Sequence, residues 1–185
     1  MSRHSYTISY DIDNIPTNPE LIEAFSKGEP QAKKEALLKH IKCIINDQHT
    51  QPLIMPVIQY IAPLEDHAIK KLLFIFWEIV EKKKPDGSMI TEMILTCNLI
   101  RKDLLHSNEY VRAKTLRMVS NMMFREFLEP LMQAIVENLN HKFSYVRKNA
   151  LQCLYSVFVH FGNDMIPDLP DRLEAMLASE SDGPT

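Results

Sequence analysis

Apolar residues recur along this chain with the period of an α-helix, and no segment alternates apolar and polar residues as a surface strand does. The clearest stripe lies within 66–83, where apolar residues follow one another at spacings of three and four. It consists of Ile69, Leu72, Leu73, Phe76 and Val80. Comparable stripes predict helices at about 19–27, 30–46, 52–63, 89–105, 109–123, 126–140 and 146–157, with a terminal helix after Asp168. The chain is therefore predicted to be all-α.

The stretch that begins at His106 is repeated, loosely, from His141 onward. Matching positions are each 35 residues apart: His106/His141, Tyr110/Tyr145, Val111/Val146, Arg112/Arg147 and Leu116/Leu151. Such a period is typical of helical hairpins that stack side by side. An earlier copy is less regular, because Ile69 precedes Val111 by 42 residues. We predict a right-handed α-solenoid of HEAT- or armadillo-like hairpins, with about four hairpins and a terminal helix.

The same pattern divides the chain along its length. Residues 1–18 are polar and rich in turn-forming residues, which predicts an irregular lead-in. The hairpins occupy 19–179, and the polar end at 180–185 is predicted to be disordered. The last helix has an apolar stripe that no following helix covers, formed by Leu173, Met176 and Leu177. We therefore expect the sequence to be the N-terminal fragment of a longer trunk.

Composition narrows the classes of function. The formal net charge is −3, so the chain as a whole does not attract nucleic acid or anionic lipid. No apolar run approaches the ~20 residues of a membrane span, and the first residues lack the apolar core of a secretory signal. Cys43, Cys97 and Cys153 are widely spaced, which indicates reduced thiols in a cytosolic protein.

Catalytic signatures are missing from the sequence. It contains no GxGxxG, GxxxxGK[ST], HExxH or GxSxG motif, and its seven histidines are scattered. His106 and His141 occupy equivalent places between the two helices of a hairpin, which favours a local capping role over metal binding. We predict that the protein is not an enzyme and that it binds no cofactor, metal ion or small-molecule substrate.

A polar pattern accompanies the predicted turns. An acidic or amide residue lies near each turn, and a basic residue follows early in the second helix of the hairpin. The pairs are Asp66/Lys70, Asp103/Arg112 and Asn138/Arg147. In HEAT-like repeats these residues would form a ladder of hydrogen-bonded ion pairs between neighbouring turns. The alternative is solvated surface charge, in which each pair contributes less than ~1 kcal/mol.

One apolar position is out of place on the first helix of the third hairpin. A stripe there consists of Ile90, Ile94, Cys97 and Arg101, and the equivalent residues of the next repeat are Arg125, Glu129, Met132 and Val136. Because Ile94 matches a glutamate, we predict that its side chain is partly exposed. It is either an isolated surface isoleucine or part of a patch that binds a partner protein.

Basic residues recur along the second helices and the turns before them. Examples are Lys70/Lys71, Arg112/Lys114/Arg117 and Arg147/Lys148. If they align on one side, they form a positive stripe for anionic lipid, an acidic partner or nucleic acid; otherwise they serve solubility and ion pairs with neighbouring acids. Two alternative functions stay open: a nucleic-acid-binding helical repeat and a generic scaffold such as an importin-like cargo carrier. We find no aromatic interleaving that supports base stacking, so nucleic acid is not the expected partner.

Several segments together resemble the N-terminal trunk of the coatomer beta family, the adaptin-like large chains of the COPI vesicle coat. They are DHAIKKLLFIFWEIV (66–80), EMILTC (92–97), RKDLLHSNEYVR (101–112), LEPLMQAI (128–135) and SYVRKNA (144–150). The resemblance covers about 25–170. It implies a non-catalytic coat subunit for transport between the Golgi and the endoplasmic reticulum. Such a subunit is cytoplasmic and peripheral on the Golgi membrane and on COPI-coated vesicles.

The resemblance also implies partners. These are the other coatomer subunits, among them a delta-type subunit, and a GTP-loaded Arf-type small GTPase. In related large chains the GTPase docks on the helix equivalent to 89–105. When RKD at 101–103 is matched to the family segment, Ile94 and Cys97 fall on the hydrophobic contact positions, and Ile90 and Arg101 lie on the same stripe.

Overall fold

The structure, a computed structural model, describes residues 15–47 and 53–179. Most of the predicted lead-in at 1–18 and the whole predicted disordered end at 180–185 lie outside these ranges. Within them the chain is helical, with one isolated bridge between Lys83 and Met89 and no strand, so the all-α prediction is confirmed. The α-helices are α1 (Asn18–Lys27), α2 (Pro30–Ile45), α3 (Ile54–Tyr60), α4 (His67–Ile79), α5 (Cys97–Leu104), α6 (Glu109–Val119), α7 (Arg125–Leu128), α8 (Met132–Glu137), α9 (Ser144–Phe161) and α10 (Leu169–Ser179).

The described helices divide into two compact units, and the boundary along the chain lies between Lys82 and Lys83. In the first unit, α2 packs against α1 and α4, and α3 packs against α1. The apolar faces of these helices meet in a core whose largest fully buried side chains are Phe25 and Phe76. Asp66 starts α4, because its Oδ1 accepts hydrogen bonds from the backbone N–H groups of Ala68 (2.8 Å) and Ile69 (2.9 Å).

His40 is a polar side chain inside this core. It is fully buried between the rings of Phe25 and Phe76, with centroid distances of 6.4 and 5.8 Å. Its Nε2 accepts the backbone N–H of Leu53 (3.4 Å), and its Nδ1 has no hydrogen-bond partner among the described residues. A charge is costly in such a site, so burial lowers the pKa of His40 to about 4.

In the second unit, two hairpins stack in register. Helix α5 packs against α6, and α8 packs against α9. The equivalent helices also lie side by side, α6 against α9 and α5 against α8. The buried side chains include pairs at the predicted spacing of 35 residues, such as Ile100 and Ile135 in the first helices and Met118 and Cys153 in the second helices. The sequence repeat thus corresponds to stacked hairpins.

The first helix of each of these hairpins differs from the prediction. The continuous helices predicted at 89–105 and 126–140 are broken by 3-10 turns, Thr91–Thr96 in one and Glu129–Leu131 in the other. Pro130 has no N–H to continue an α-helix. Thr96 donates its hydroxyl to the Met93 carbonyl (2.6 Å), a local bond that competes with regular helix geometry. The right-handed course and the continuity of a solenoid over 19–179 stay predictions.

Candidate protein-binding site

A tight turn fixes the approach to the candidate site. The N–H of Lys84 donates to the Ser88 carbonyl (2.8 Å), and Gly87 closes the turn with a φ of 83° that favours glycine. Asp86 accepts hydrogen bonds from the N–H (2.9 Å) and hydroxyl (2.6 Å) of Ser88, which lower the pKa of its carboxyl. The chain therefore enters the 3-10 turn at Thr91 from a defined direction.

The 3-10 turn and α5 have one buried and one exposed side. The buried side consists of Met93, Cys97, Ile100 and Leu104. On the exposed side, Ile94 is 45% and Leu95 is 55% accessible, and the cations Arg101 and Lys102 follow on the outside of α5. The predicted partial exposure of Ile94 is confirmed. The equivalent Glu129 is also exposed and pairs with Arg125 at 3.8 Å.

Cys97 corrects part of the predicted stripe. It was expected to be a hydrophobic contact position for a partner, but it is only 8% accessible and its thiol donates to the Phe127 carbonyl (3.8 Å). The reason is that Cys97 shares a stripe with Met93, Ile100 and Leu104, at spacings of four, three and four residues, and this stripe faces the core. Ile90, which is half-buried, precedes the turn. Of the four predicted residues, the structure leaves Ile94 and Arg101 on the outer surface.

Native-state thiol chemistry can check this placement. All three cysteines are buried, and burial raises the pKa of Cys43 and Cys97 and raises that of Cys153 to about 12. We expect an aromatic disulfide reagent to release almost no thiolate from the folded chain and to label all three thiols in guanidinium chloride. Rapid labelling of a Cys43→Ser, Cys153→Ser variant under native conditions would show that Cys97 is at the surface after all.

Leu95 is the surface residue that sequence analysis missed. It is more exposed than Ile94, and the two side chains are neighbours on the 3-10 turn. On a regular helix over 89–105, Leu95 lies opposite the buried stripe of Met93, Cys97, Ile100 and Leu104, so the helical period is consistent with its exposure. The sequence repeat pointed to an exposed position here, because the residue equivalent to Leu95 is Pro130, which is also exposed. The apolar surface thus consists of Ile94 and Leu95, flanked by Arg101 and Lys102.

The predicted ladder has one well-defined rung in the second unit. Asn138 is fully buried, and its Nδ2 donates to the carbonyls of Leu104 (3.0 Å) and Ala134 (2.7 Å). Its Oδ1 accepts from Arg112 (3.2 Å). Asn138 therefore links the turn of its own hairpin to the end of α5 and the start of α6 in the neighbouring hairpin. This rung is a hydrogen-bonded amide rather than the predicted ion pair.

The two equivalent arginines have the same role at successive turns. Arg112 donates to the carbonyls of Leu105 (3.0 Å) and His106. Arg147 donates to those of His141 (2.9 Å) and Lys142 (3.1 Å). Each guanidinium thus satisfies carbonyls that follow the first helix of its hairpin, where positive charge is favourable.

The two turn histidines also act alike. Nδ1 of His106 accepts the N–H of Asn108 (2.9 Å), and Nδ1 of His141 accepts the N–H of Phe143 (3.3 Å). The predicted local capping role is confirmed. Partial burial, together with the charges of Arg112 and Lys142, lowers the pKa of His141.

The structure places the other predicted ladder residues at or near the ends of helices. Asp66 caps α4 through backbone N–H groups, as described above, and Lys70 follows one turn later. Asp103 lies half-buried in the last turn of α5. In the part of the chain that the structure describes, no group of three or more His, Cys, Asp or Glu side chains is arranged to hold a metal ion. None of the described helices has the length and apolar composition needed to cross a bilayer.

Comparison with known proteins places this architecture in a family. The family described as Adaptin N terminal region matches residues 15–183. The coatomer subunit beta of Rattus norvegicus is 43% identical over 181 residues, which is 95% of this chain and 19% of that protein. The coatomer subunit beta of Trypanosoma brucei brucei is 40% identical over 172 residues, 92% of this chain and 17% of the relative.

A plant relative extends the comparison. The coatomer subunit beta-2 of Arabidopsis thaliana is 35% identical over 176 residues, 95% of this chain and 19% of the relative. The chain thus spans about a fifth of the length of the curated relatives it matches. The chain belongs to the family of adaptin N-terminal regions, a helical solenoid family, and its relatives in animals, trypanosomes and plants are coatomer beta subunits.

Proposed function

We propose that this chain is part of a non-catalytic coatomer beta-like subunit of the COPI coat. In this role it works in the cytoplasm, associates with the Golgi membrane and COPI vesicles through the assembled coat, and assembles with other coat subunits, including a delta-type partner. The proposal is supported by the relatives, which carry the name coatomer subunit beta. It is also supported by the stacked hairpins, whose turns are held in the same way by hydrogen bonds from Arg112 and Arg147.

Within this role, the surface around Ile94 binds a GTP-loaded Arf-type small GTPase. The observation that carries this is the pair of exposed apolar side chains, Ile94 and Leu95, at positions where the next hairpin has Glu129 and Pro130. Exposed apolar side chains on a rigid turn contribute affinity when a partner removes them from water. Arg101 and Lys102 lie one to two turns further along and increase the rate of encounter with an acidic surface.

The nucleotide dependence follows from the partner. The switch regions of such a GTPase are ordered only while the γ-phosphate is bound, so a complementary apolar surface exists in one state and is lost in the other. The chain itself then needs no conformational change to distinguish the two states.

The experiment is a binding titration with an Arf-type GTPase locked in its GTP or GDP state. We expect binding to the GTP state, and we expect Ile94→Asp to weaken it by at least about 30-fold, because a carboxylate would be buried against apolar switch residues. Affinity is measured by calorimetry, and circular dichroism establishes that the variant is folded.

Ile75→Asp is the matched control. Ile75 is 42% exposed, close to the 45% of Ile94, but it lies on α4 in the other compact unit. We expect Ile75→Asp to bind as the wild type does. Equal affinities for Ile94→Asp and the wild type would remove Ile94 from the site.

A further inference from the structure

The second helices of the two stacked hairpins expose a continuous row of aromatic and basic side chains. On each helix these residues lie at spacings that place them on one face, and all of them are exposed. We call them the tyrosine–lysine face, which comprises Tyr110, Lys114, Arg117, Tyr145, Lys148 and Tyr155. The rings of Tyr110 and Tyr145 lie 5.9 Å apart, so the rows on α6 and α9 are joined.

This face has almost no negative charge of its own. Helix α9 contains neither aspartate nor glutamate over its 18 residues. In α6 the only acidic residue is Glu109, at the first position of the helix. At the end of the face where both helices begin, partial burial lowers the pKa of His141, and the charges of Arg112 and Lys142 lower it further against the opposing charge of Glu109. The local potential is therefore positive although the net charge of the chain is −3.

The tyrosines of this face are largely exposed and lie outside the hydrophobic core. Tyr110 is 66% and Tyr155 is 61% accessible, and neither contributes to the core between α6 and α9. Tyrosine and arginine are the residues that most often dominate the affinity of a protein interface, because a rigid ring buries a large area at a small cost in conformational entropy.

We propose that the tyrosine–lysine face binds an extended acidic segment of a partner protein. From Tyr145 to Tyr155 the face is about 15 Å long at the rise of an α-helix, which an extended peptide of about five residues covers. The carboxylates of the segment pair with Lys114, Arg117 and Lys148. Its aliphatic or aromatic side chains pack on the tyrosine rings, where the exposed Val159 extends the apolar surface.

A single-stranded nucleic acid fits this face less well. The rings of Tyr110 and Tyr145 contact each other at an interplanar angle of 51°, so they do not present parallel planes for successive bases. Three cations over this length also give few phosphate contacts. The proposal is independent of the GTPase surface, because Ile94 and Leu95 lie on the 3-10 turn Thr91–Thr96, whereas the tyrosine–lysine face lies on α6 and α9.

The test is fluorescence anisotropy on the chain with three labelled probes at low salt: an acidic peptide of about ten residues, rich in glutamate with two phenylalanines, the same peptide with lysine in place of glutamate, and a uridine oligonucleotide. We expect only the acidic peptide to bind tightly. Lys114→Glu combined with Lys148→Glu lowers its affinity at least about tenfold, and so does Tyr155→Ala.

Two controls separate this result from general charge effects and from the GTPase site. Lys71→Glu reverses the charge of another exposed lysine, on α4, and Ile94→Asp changes the other candidate surface; both leave peptide affinity unchanged. Thermal unfolding establishes that every variant is folded, and Tyr110→Ala replaces Tyr155→Ala if the latter is not. No binding of the acidic peptide, equal binding by the face variants, or tighter binding of the oligonucleotide would overturn the proposal.

Discussion

Replacing Asn138 with leucine lowers the free energy of unfolding by about 3 kcal/mol. The carbonyls of Leu104 and Ala134 lose the only side-chain donor that reaches them in the described structure, and Arg112 loses its acceptor at 3.2 Å. Because these groups lie in or beside the core, water cannot replace the lost bonds without opening the contact between the hairpins. Urea unfolding followed by circular dichroism measures the loss.

Asn140 provides a matched control for this prediction. It lies in the same 3-10 turn, Asn138–Asn140, but its side chain is exposed. Asn140→Leu is expected to change the unfolding free energy by less than about 0.5 kcal/mol. If Asn138→Leu were as mild, the bond between neighbouring turns would contribute nothing to stability, and apolar packing of α6 on α9 would account for the stacking alone.

The stability of the chain falls as the pH drops from about 6.5 toward about 4, and His40 is a main cause. Its pKa is about 4 in the folded chain, against 6.5 as the ordinary value for histidine. Above pH 6.5, His40 is neutral in both the folded and the unfolded chain, so it does not make the stability depend on pH. Between the two values the unfolded chain binds a proton that the folded chain excludes. The folded state therefore loses up to about 3 kcal/mol over this range.

A His40→Gln variant isolates this contribution. Glutamine retains an acceptor for the N–H of Leu53 but does not titrate. We expect the unfolding free energy of the variant to fall much less between pH 6.5 and 4 than that of the wild type, whatever its value at neutral pH. His141, whose pKa is also lowered, remains in both proteins and so cancels in the comparison. Parallel pH profiles would contradict the buried, neutral state of His40.

Helix positions and stacking followed directly from the sequence because they depend on patterns that repeat. The pairing of Tyr110 with Tyr145 at a spacing of 35 corresponds to two rings in contact. Of the predicted stripe in α4, Ile69, Leu73 and Phe76 are buried, and Leu72 is half-buried. The terminal helix predicted after Asp168 is α10. In each case a single periodicity determines both the helix and the face that it buries.

The binding surfaces were harder to predict because the helical period shows which side chains are exposed but not which of them bind a partner. Met93, Cys97, Ile100 and Leu104 are spaced by four, three and four residues, so the period itself buries Cys97, whereas the family resemblance implies a contact role for it. Likewise, sequence analysis found no aromatic residues interleaved with the basic clusters. Tyr145 and Tyr155 lie beside Lys148 only when residues separated by three and seven positions are placed on the same face of α9.

The polar ladder shows a third kind of difference. Sequence pairing suggested Asn138 with Arg147 of the same hairpin, whereas the structure brings Asn138 to Arg112 of the preceding one. The sequence of a single hairpin cannot predict the bond between Asn138 and Arg112. That bond depends on how far neighbouring hairpins are offset when their apolar faces pack. The residue types were informative, but their partners depend on tertiary packing.

Hydrogen exchange on the chain with and without a GTP-loaded Arf-type GTPase tests the central claim most directly. We expect new protection of the amides from Thr91 to Leu104, where Ile94, Leu95 and Arg101 lie, and no protection with the GDP-loaded form. Protection that appears with both nucleotides, or only in other helices, would contradict a nucleotide-dependent docking site on this surface.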